Sequence, residues 1–185
     1  MADVSGKGMS ASLLTASLEA LAIGPIEAGN APDEICSKLS LRLYARTNPE
    51  RYATGFVASL DLASGRLQYC NAGHNPALLV RCSEEPLTLD ATGLPLGLLN
   101  VGEYALEELT LQPGELLFIY IDGVTEAANP SGEEYGLEQL IELCRGQRHA
   151  SVAEQAAALD RELEAFTQGT PYADDRTFMM LRRLE

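Results

Sequence analysis

The sequence predicts an α+β layered sandwich and disfavours a doubly wound parallel sheet. Strand-like and helix-like segments come in blocks along the chain, without the strict alternation that parallel sheets require. Turn residues that suit antiparallel hairpins separate the short strand-like segments in the middle. A length of 185 residues with 46% hydrophobic residues suits one globular domain over residues 1–185 and supplies enough apolar material for a core.

Two helices are expected in the first quarter of the chain. A glycine-punctuated opening at 3–8 leads into an apolar run at 9–22, which the Gly-Pro pair at 24–25 is expected to end. The second helix is expected over 30–46, because a polar cap, a first-turn proline and two acids mark its start. Its apolar residues are spaced by four and share one face: Ile35, Leu39 and Leu43.

The middle of the chain is predicted to be rich in strands, and its end to be helical. The expected strands lie at 54–62, 66–70, 77–81 and 87–89, followed by a strand pair at 104–111 and 116–121. Two helices at 137–148 and 151–166 and a last strand at 177–181 complete the series. Ser151 and Glu154 form a capping box that marks the start of the last helix.

The charge balance narrows the classes of partner. The chain has 13 Lys and Arg against 27 Asp and Glu, which gives a formal net charge of −14. A surface this acidic repels phosphate backbones and anionic lipids, so neither nucleic acid nor a membrane is expected as a partner. Cations and proteins with basic patches are favoured.

The chain shows no sign of export or of a disulfide framework. No run is expected to reach the roughly 18 apolar residues of a membrane-spanning helix, and the first eight residues lack the apolar region of a signal peptide. The four cysteines have no metal-binding spacing and sit in apolar or amphipathic runs: Cys36, Cys70, Cys82 and Cys144. Buried free thiols in a reducing cytoplasm are therefore expected.

Acidic residues stand at the predicted ends of strands, several of them beside glycine. Asp3 precedes a glycine-rich turn, Asp122 follows an apolar strand, and Asp174 and Asp175 precede the last strand. Carboxylates gathered at one sheet edge would form an oxygen-rich site for Mg²⁺ or Mn²⁺. The alternative is an ordinary Asp-Gly turn and a solvated Asp-Asp loop, and the spacing of these residues does not by itself unite them.

Four ordered motifs carry a resemblance to a known family. They are D-V-S-G-K-G at 3–8, N-A-G-H-N-P at 71–76, D-G-V-T-E-A at 122–127 and D-D-R-T at 174–177. In this order they resemble the bacterial metal-dependent PPM-type serine phosphatases, in the branch typified by SpoIIE and RsbU. The resemblance spans essentially the whole chain.

This resemblance implies an α-β-β-α four-layer sandwich with two central, mainly antiparallel sheets. It implies hydrolysis of phosphoserine or phosphothreonine on a protein by metal-activated water, with Mn²⁺ or Mg²⁺ and without a phosphoenzyme. Such modules usually follow a sensor or receiver domain. Many act in the bacterial cytoplasm on a phosphorylated anti-sigma factor antagonist.

The resemblance also assigns roles to residues. Asp3 would bridge two metal ions, the Val4 carbonyl would touch one of them, and Asp122 and Asp174 would complete the other. Asp175 occupies the second acidic position of the terminal motif and is a further candidate ligand. For His74 two roles stay open: a general acid, or a loop histidine whose ring bonds to a neighbouring backbone group.

Two departures from the family pattern lead to further expectations. Asp3 is almost the first residue, so the strand and the G-G-D element that normally precede it are absent from this sequence. The chain is therefore expected to be an N-terminally truncated domain that lacks the first strands, with one metal site incomplete and weak or no activity. Its exposed sheet edges are expected to favour self-association, for instance as a homodimer. In addition, Ile121 replaces the usual threonine before Asp122.

Two other functions compete with the enzyme. The first is a catalytically impaired, phosphatase-like module that binds or regulates a partner, which the abrupt start of the sequence favours. The second is a plain cation-binding structural domain, which explains the acidity but leaves the ordered motifs unexplained.

Overall fold

The computed structural model describes residues 1–47, 51–81, 85–100 and 102–184. The chain divides into two compact units. The first unit comprises Met1–His74 and Asp90–Thr110, and the second comprises Asn75–Leu89 and Leu111–Glu185. The prediction that 1–185 acts as a single domain stays a prediction.

The elements follow in chain order. They are β1 (Ala2–Val4), α1 (Met9–Glu27), α2 (Pro32–Tyr44), β2 (Ala53–Leu60), β3 (Arg66–Ala72), β4 (Ala77–Val80), β5 (Leu87–Leu89), β6 (Glu107–Thr110), β7 (Leu116–Tyr120), α3 (Gly136–Gly146), α4 (Val152–Thr167) and β8 (Phe178–Arg182). The first unit holds a sheet of order β1-β2-β3-β6, and the second a sheet of order β5-β4-β7-β8. Neighbouring strands in both sheets are antiparallel, which confirms the α+β prediction.

Each unit has its own apolar core. In the second unit the five residues of β7 are all buried between β4 and β8. Its alternate residues Leu116, Phe118 and Tyr120 pack with residues of α3 and α4 such as Leu140 and Leu159. In the first unit Ile35, Leu39 and Leu43 of α2 are buried as predicted. The core of each unit therefore lies between its sheet and its two helices.

The hairpin that joins β2 and β3 is fixed by its turn residues. The Asp61 Oδ1 atom accepts hydrogen bonds from the backbone N–H groups of Ala63 and Ser64, both at 2.9 Å. Gly65 adopts a φ of 77°, in the left-handed region that glycine enters at no steric cost. Together these residues set the β2–β3 register, with Leu60 opposite Leu67.

Two predicted helix ends are corrected. Helix α1 does not end at Gly24-Pro25 but continues to Glu27 with Pro25 inside it. A proline this close to the end removes a single intrahelical donor, and backbone bonds from Ala28 to Gly24 and from Asn30 to Pro25 close the last turn. Helix α2 begins after Ala31, which has no capping side chain, so the expected polar cap is wrong.

The predicted strand pair at 104–111 and 116–121 is also wrong. Strand β6 pairs with β3, whereas β7 pairs with β4 and β8, so the two strands belong to different sheets. The turn between them is confirmed, because Glu115 donates its backbone N–H to the Gln112 carbonyl at 3.0 Å. A turn signal between two strand patterns thus does not establish that those strands pair.

Helix α1 corrects the expectation that no segment is long and apolar enough to cross a membrane. By length and composition alone Met9–Glu27 qualifies, with a mean hydropathy of 1.4 over an 18-residue window that is 22% buried. A core helix or a signal sequence passes the same test, so this is weak evidence for a membrane segment.

Three of the four cysteines behave as predicted. Cys36, Cys70 and Cys144 are free and buried. Cys82 lies outside the described residues. The Cys70 thiol hydrogen-bonds to Cys36, and this bond raises the pKa of Cys36 and lowers that of Cys70.

Candidate active site

Asp122 is held by backbone geometry at the end of a buried strand. Only Ile121 separates it from β7, and the backbone N–H of Ile121 donates to the Thr177 carbonyl at 3.1 Å. Asp122 then opens a single 3₁₀ turn, and its carbonyl accepts from the backbone N–H of Glu126 at 2.8 Å and from Thr125 Oγ1 at 3.2 Å. The half-buried carboxylate is therefore carried by a tightly bonded turn.

Gly123 brings the second acidic motif against the first. A Cβ added at Gly123 would lie 2.0 Å from the carbonyl oxygen of Asp175, well inside contact distance. The backbone at 174–175 therefore approaches the 122–124 turn so closely that only glycine fits. The structure thus places the backbone of the Asp174–Asp175 loop against the turn that carries Asp122.

The carboxylates in this region affect each other electrostatically. Burial raises the pKa of the Glu126 carboxyl above its ordinary value, and the negative charges of Asp122, Glu134 and Asp174 raise it further. The predicted ligands Asp122 and Asp174 therefore act on one neighbouring carboxyl group. Such a concentration of negative charge favours binding of a cation.

Asp174 and Asp175 are exposed to solvent. The backbone N–H of Asp175 donates to Asp174 Oδ1 at 2.9 Å, so one oxygen of the Asp174 carboxylate is bonded to the backbone of the next residue. Directly after them, the Arg176 guanidinium lies over the Tyr172 ring at 3.8 Å from its centroid. A positive charge therefore flanks the acidic pair.

The other predicted ligands, Asp3 and Val4, lie in the first unit on strand β1. Asp3 pairs with Thr54 and Val4 with Ala53 in the antiparallel ladder with β2. Beyond the strand, Ser5 exchanges two hydrogen bonds with Tyr52. The Ser5 backbone N–H donates to the Tyr52 carbonyl at 2.9 Å, and the Tyr52 N–H donates to Ser5 Oγ at 3.0 Å. Asp3 is thus on a paired strand, where the sequence had indicated only a glycine-rich opening.

His74 is a buried residue, with 3% of its surface exposed. Its Nδ1 atom lies 2.9 Å from Thr54 Oγ1, so the ring bonds to a side chain on β2. Its backbone N–H donates to Asn71 Oδ1 at 2.7 Å. The role of His74 as a general acid stays a prediction.

The donor set suits a hard divalent cation, but the carboxylates are not gathered into a finished site. All the predicted ligand atoms are carboxylate or carbonyl oxygens, which Mg²⁺ and Mn²⁺ prefer. The close approach of Asp175 to Gly123 and the raised pKa of Glu126 are consistent with a cation between these loops. Within residues 1–47, 51–81, 85–100 and 102–184, however, no group of three or more His, Cys, Asp or Glu side chains is arranged to hold a metal ion.

Sequence reasoning missed two residues of this region. Glu126 lies within the D-G-V-T-E-A motif, but the motif alone gave it no role. Thr54 carried no signal, because its place opposite Asp3 depends on the β1–β2 register.

Comparison with known proteins supports this description of the fold. The chain is 28% identical over 183 residues to the phosphoserine phosphatase RsbP of Bacillus subtilis strain 168, covering 97% of this chain and 44% of RsbP. It is 26% identical over 186 residues to the phosphoserine phosphatase RsbU of the same strain, covering 99% of this chain and 54% of RsbU. The chain thus spans about half the length of these curated relatives.

Solved structures show the same fold. The SiaA-PP2C domain of Pseudomonas aeruginosa matches with a TM-score of 0.87 at 22% identity, covering 98% of this chain and 73% of that one. A structure of RsbX in complex with magnesium matches with a TM-score of 0.71 at 17% identity, covering 97% of this chain and 77% of that one. The fold is therefore that of the PP2C-type phosphatase domains.

A match to a family model identifies the family of this chain. The family model described as Stage II sporulation protein E (SpoIIE) matches residues 1–184. The chain belongs to the SpoIIE family, as its four motifs predicted.

Proposed function

We propose that this chain is the catalytic part of a metal-dependent protein phosphatase that removes phosphate from phosphoserine or phosphothreonine. The observation that carries the proposal is the close approach of the Asp175 backbone to Gly123, which joins two acidic motifs that are distant in the sequence. The relatives RsbP and RsbU are named phosphoserine phosphatases, which supports the same chemistry here.

Asp122, Asp174 and Asp3 are the proposed catalytic carboxylates and metal ligands, with the Val4 carbonyl and Asp175 as further ligands. When bound, Mn²⁺ or Mg²⁺ supplies an acidified water and neutralises charge on the phosphoryl oxygens. The magnesium complex of RsbX supports this choice of metal.

The chain's own residues give a physical reason for requiring a cation. The net charge of −14, with several carboxylates beside the Asp122 turn, repels a phosphate dianion. The backbone bonds around Asp122 fix the turn from which its carboxylate projects, so little backbone reorganisation is needed during the reaction. A bound divalent cation would offset the negative charge of these carboxylates, so that a phosphate group could bind beside them.

The physiological partner we propose is a phosphorylated regulatory protein of a sigma-factor pathway, such as an anti-sigma factor antagonist. RsbP and RsbU are about twice as long as this chain, which is consistent with an attached sensor or receiver domain. The buried free thiols are in keeping with a reducing cytoplasm. Self-association stays a prediction.

One observation favours a second candidate, a phosphatase-like module that binds its partner without turnover. Within the part of the chain that the structure describes, no group of three potential ligands stands ready to hold a metal ion. A module of this kind would keep the fold and the phosphoprotein surface while lacking hydrolysis.

The test is Mn²⁺-dependent hydrolysis of p-nitrophenyl phosphate and of a phosphoserine peptide. We expect weak hydrolysis by the parent chain with Mn²⁺ and none with EDTA, and Asp122→Asn to lower kcat/KM about 100-fold or more. The matched control is Asp160→Asn, an exposed aspartate on α4, which should leave activity unchanged. Absence of metal-dependent hydrolysis in this chain, and in a chain extended at its start by a G-G-D element, would overturn the enzyme and support the binding module.

A further inference from the structure

The antiparallel ladder of β1 and β2 places Thr54 directly opposite Asp3. The next pair along, Val4 and Ala53, contributes to the core beneath α1 and α2. Because side chains alternate between the faces of a sheet, Asp3 and Thr54 share the face turned away from those helices. Directly opposed residues have Cβ atoms about 4.5–5.5 Å apart, so the Thr54 hydroxyl is within reach of the Asp3 carboxylate.

The same Thr54 hydroxyl forms a hydrogen bond with the ring of His74. The Thr54 Oγ1 atom lies 2.9 Å from His74 Nδ1, and the imidazole is buried. The His74 backbone is fixed in turn, because its N–H donates to the side chain of Asn71, which is fully buried. A Cβ at the preceding Gly73 would lie 2.7 Å from the Pro95 ring, so no side chain fits at this position of the loop. These hydrogen bonds and the burial fix the position of the imidazole ring relative to Thr54.

The direction of the His74–Thr54 hydrogen bond decides what Thr54 can do for Asp3. A hydroxyl has one proton to donate and two lone pairs to accept with. If Thr54 donates to the ring, no proton remains for the carboxylate. If the ring donates from Nδ1, the hydroxyl proton is available to Asp3.

We propose that His74, acting through Thr54, is a positioning residue for Asp3. The His74 Nδ1–H donates to Thr54 Oγ1, and the Thr54 O–H donates to the Asp3 carboxylate. This inference rests on the proposed function, in which Asp3 is a metal ligand. Hydrogen bonds to a ligand carboxylate fix its orientation, and their loss typically costs 10–100-fold in metal affinity.

The first experiment separates the hydroxyl from the shape of residue 54. Mn²⁺ affinity is measured by calorimetry for the parent chain, for Thr54→Val, which keeps the branched shape without the hydroxyl, and for Thr54→Ser, which keeps the hydroxyl. We expect Thr54→Val to weaken Mn²⁺ binding about 10-fold or more and Thr54→Ser to restore it to near the parent value. Thermal unfolding of the metal-free chains is expected to stay close to the parent, and equal Mn²⁺ affinity of Thr54→Val and the parent would overturn the proposal.

The second experiment reads the proton directly and needs no metal. The chain is labelled with ¹⁵N-histidine and studied at about pH 8, where an ordinary imidazole is neutral. A two-bond ¹H–¹⁵N correlation spectrum then shows which ring nitrogen carries the proton. The chain has 2 histidines, so a His149→Gln variant assigns the signal of His74. The proposal expects the Nδ1–H tautomer for His74, and the Nε2–H tautomer would contradict it whether or not the chain binds Mn²⁺.

Asp3→Asn separates failure of this inference from failure of the proposed function. If Asp3→Asn binds Mn²⁺ as tightly as the parent, Asp3 is not a ligand and the assigned site is wrong. If Asp3→Asn loses affinity while Thr54→Val does not, Asp3 stays a ligand and only the role of His74 and Thr54 is refuted.

Discussion

The two units hold their acidic residues by different means. In the second unit the Asp122 turn is fixed by backbone bonds, and the Asp175 carbonyl packs against a glycine that leaves no space for a side chain. In the first unit Asp3 lies on a strand, opposite a hydroxyl that a buried histidine holds. A site fixed by backbone packing should be most sensitive to added volume, whereas one fixed by side chains should be most sensitive to a lost hydroxyl.

The units also differ in how their helices are buried. Leu140 of α3 and Leu159 of α4 are fully buried, whereas Met9 and Leu13 of α1 are 83% and 64% exposed. Burial of the apolar side chains of α3 and α4 therefore stabilises the second unit itself. The exposed apolar surface of Met9 and Leu13 contributes little to the stability of the first unit.

The largest effect is expected for Gly123→Ala. The new Cβ would collide with the Asp175 carbonyl, so one of the two acidic loops must move, and a displacement of about 1 Å at a catalytic site can cost about 100-fold in rate. Overpacking should also lower the free energy of unfolding by about 1–3 kcal/mol. Mn²⁺-dependent hydrolysis and urea denaturation measure the two effects.

Gly146→Ala is the matched control for that variant. An added Cβ there meets nothing within 4 Å, and Gly146 ends helix α3. Its activity should equal that of the parent. If Gly123→Ala is as active as this control, packing at Gly123 does not place the acidic loops.

A pair of leucine variants sharpens the comparison of the helices. Leu159→Ala removes a fully buried side chain from the second core and should lower the free energy of unfolding by about 2–5 kcal/mol. Leu13→Ala on the exposed side of α1 should change it by about 0.5 kcal/mol or less. Equal losses in urea denaturation would mean that Leu13 is buried in solution, for example by self-association.

A smaller effect is expected at the start of α4. Ser151 Oγ accepts the backbone N–H of Glu154 at 3.2 Å, and the Ser151 N–H donates to the Glu154 carboxylate at 2.8 Å. Ser151→Ala removes the cap and should cost about 1 kcal/mol in the free energy of unfolding. Activity should be unchanged, because α4 carries no predicted ligand.

The smallest effect is a pH dependence at the same cap. The hydrogen bonds from Ser151 lower the pKa of Glu154 below its ordinary value of 4.5. The folded state therefore holds this proton less tightly than the unfolded state, so the stabilisation is present above about pH 4.5 and is lost as the pH falls through the folded pKa. Glu154→Gln should have a shallower loss of stability on acidification than the parent, and an identical profile would contradict this.

The sequence predicted those parts of the molecule that local pattern determines. The apolar run of β7 and the capping box at Ser151 are strong local signals, and both elements form as expected. The ordered motifs also predicted that Asp122 and Asp174 would lie near each other. That prediction depended on family resemblance, since spacing alone did not unite the two residues.

The sequence did not predict features that depend on distant pairing. Strand β1 has only three residues, too few for a periodic pattern, and it forms because β2 supplies its hydrogen bonds. Strands β6 and β7 likewise lie in different sheets because β6 pairs with β3 and β7 pairs with β4, and both partners are distant in the sequence. Thr54 becomes important only once the register sets it opposite Asp3, so no pattern around residue 54 could identify it.

The central proposal is that the carboxylates of Asp3, Asp122 and Asp174 are ligands of divalent cations. The most direct test is an anomalous-difference map from crystals of this chain soaked in Mn²⁺. The account predicts manganese peaks bonded to carboxylate oxygens of Asp122, of Asp174 and of Asp3. Manganese bound elsewhere, or no peak at these carboxylates at saturating Mn²⁺, would contradict it.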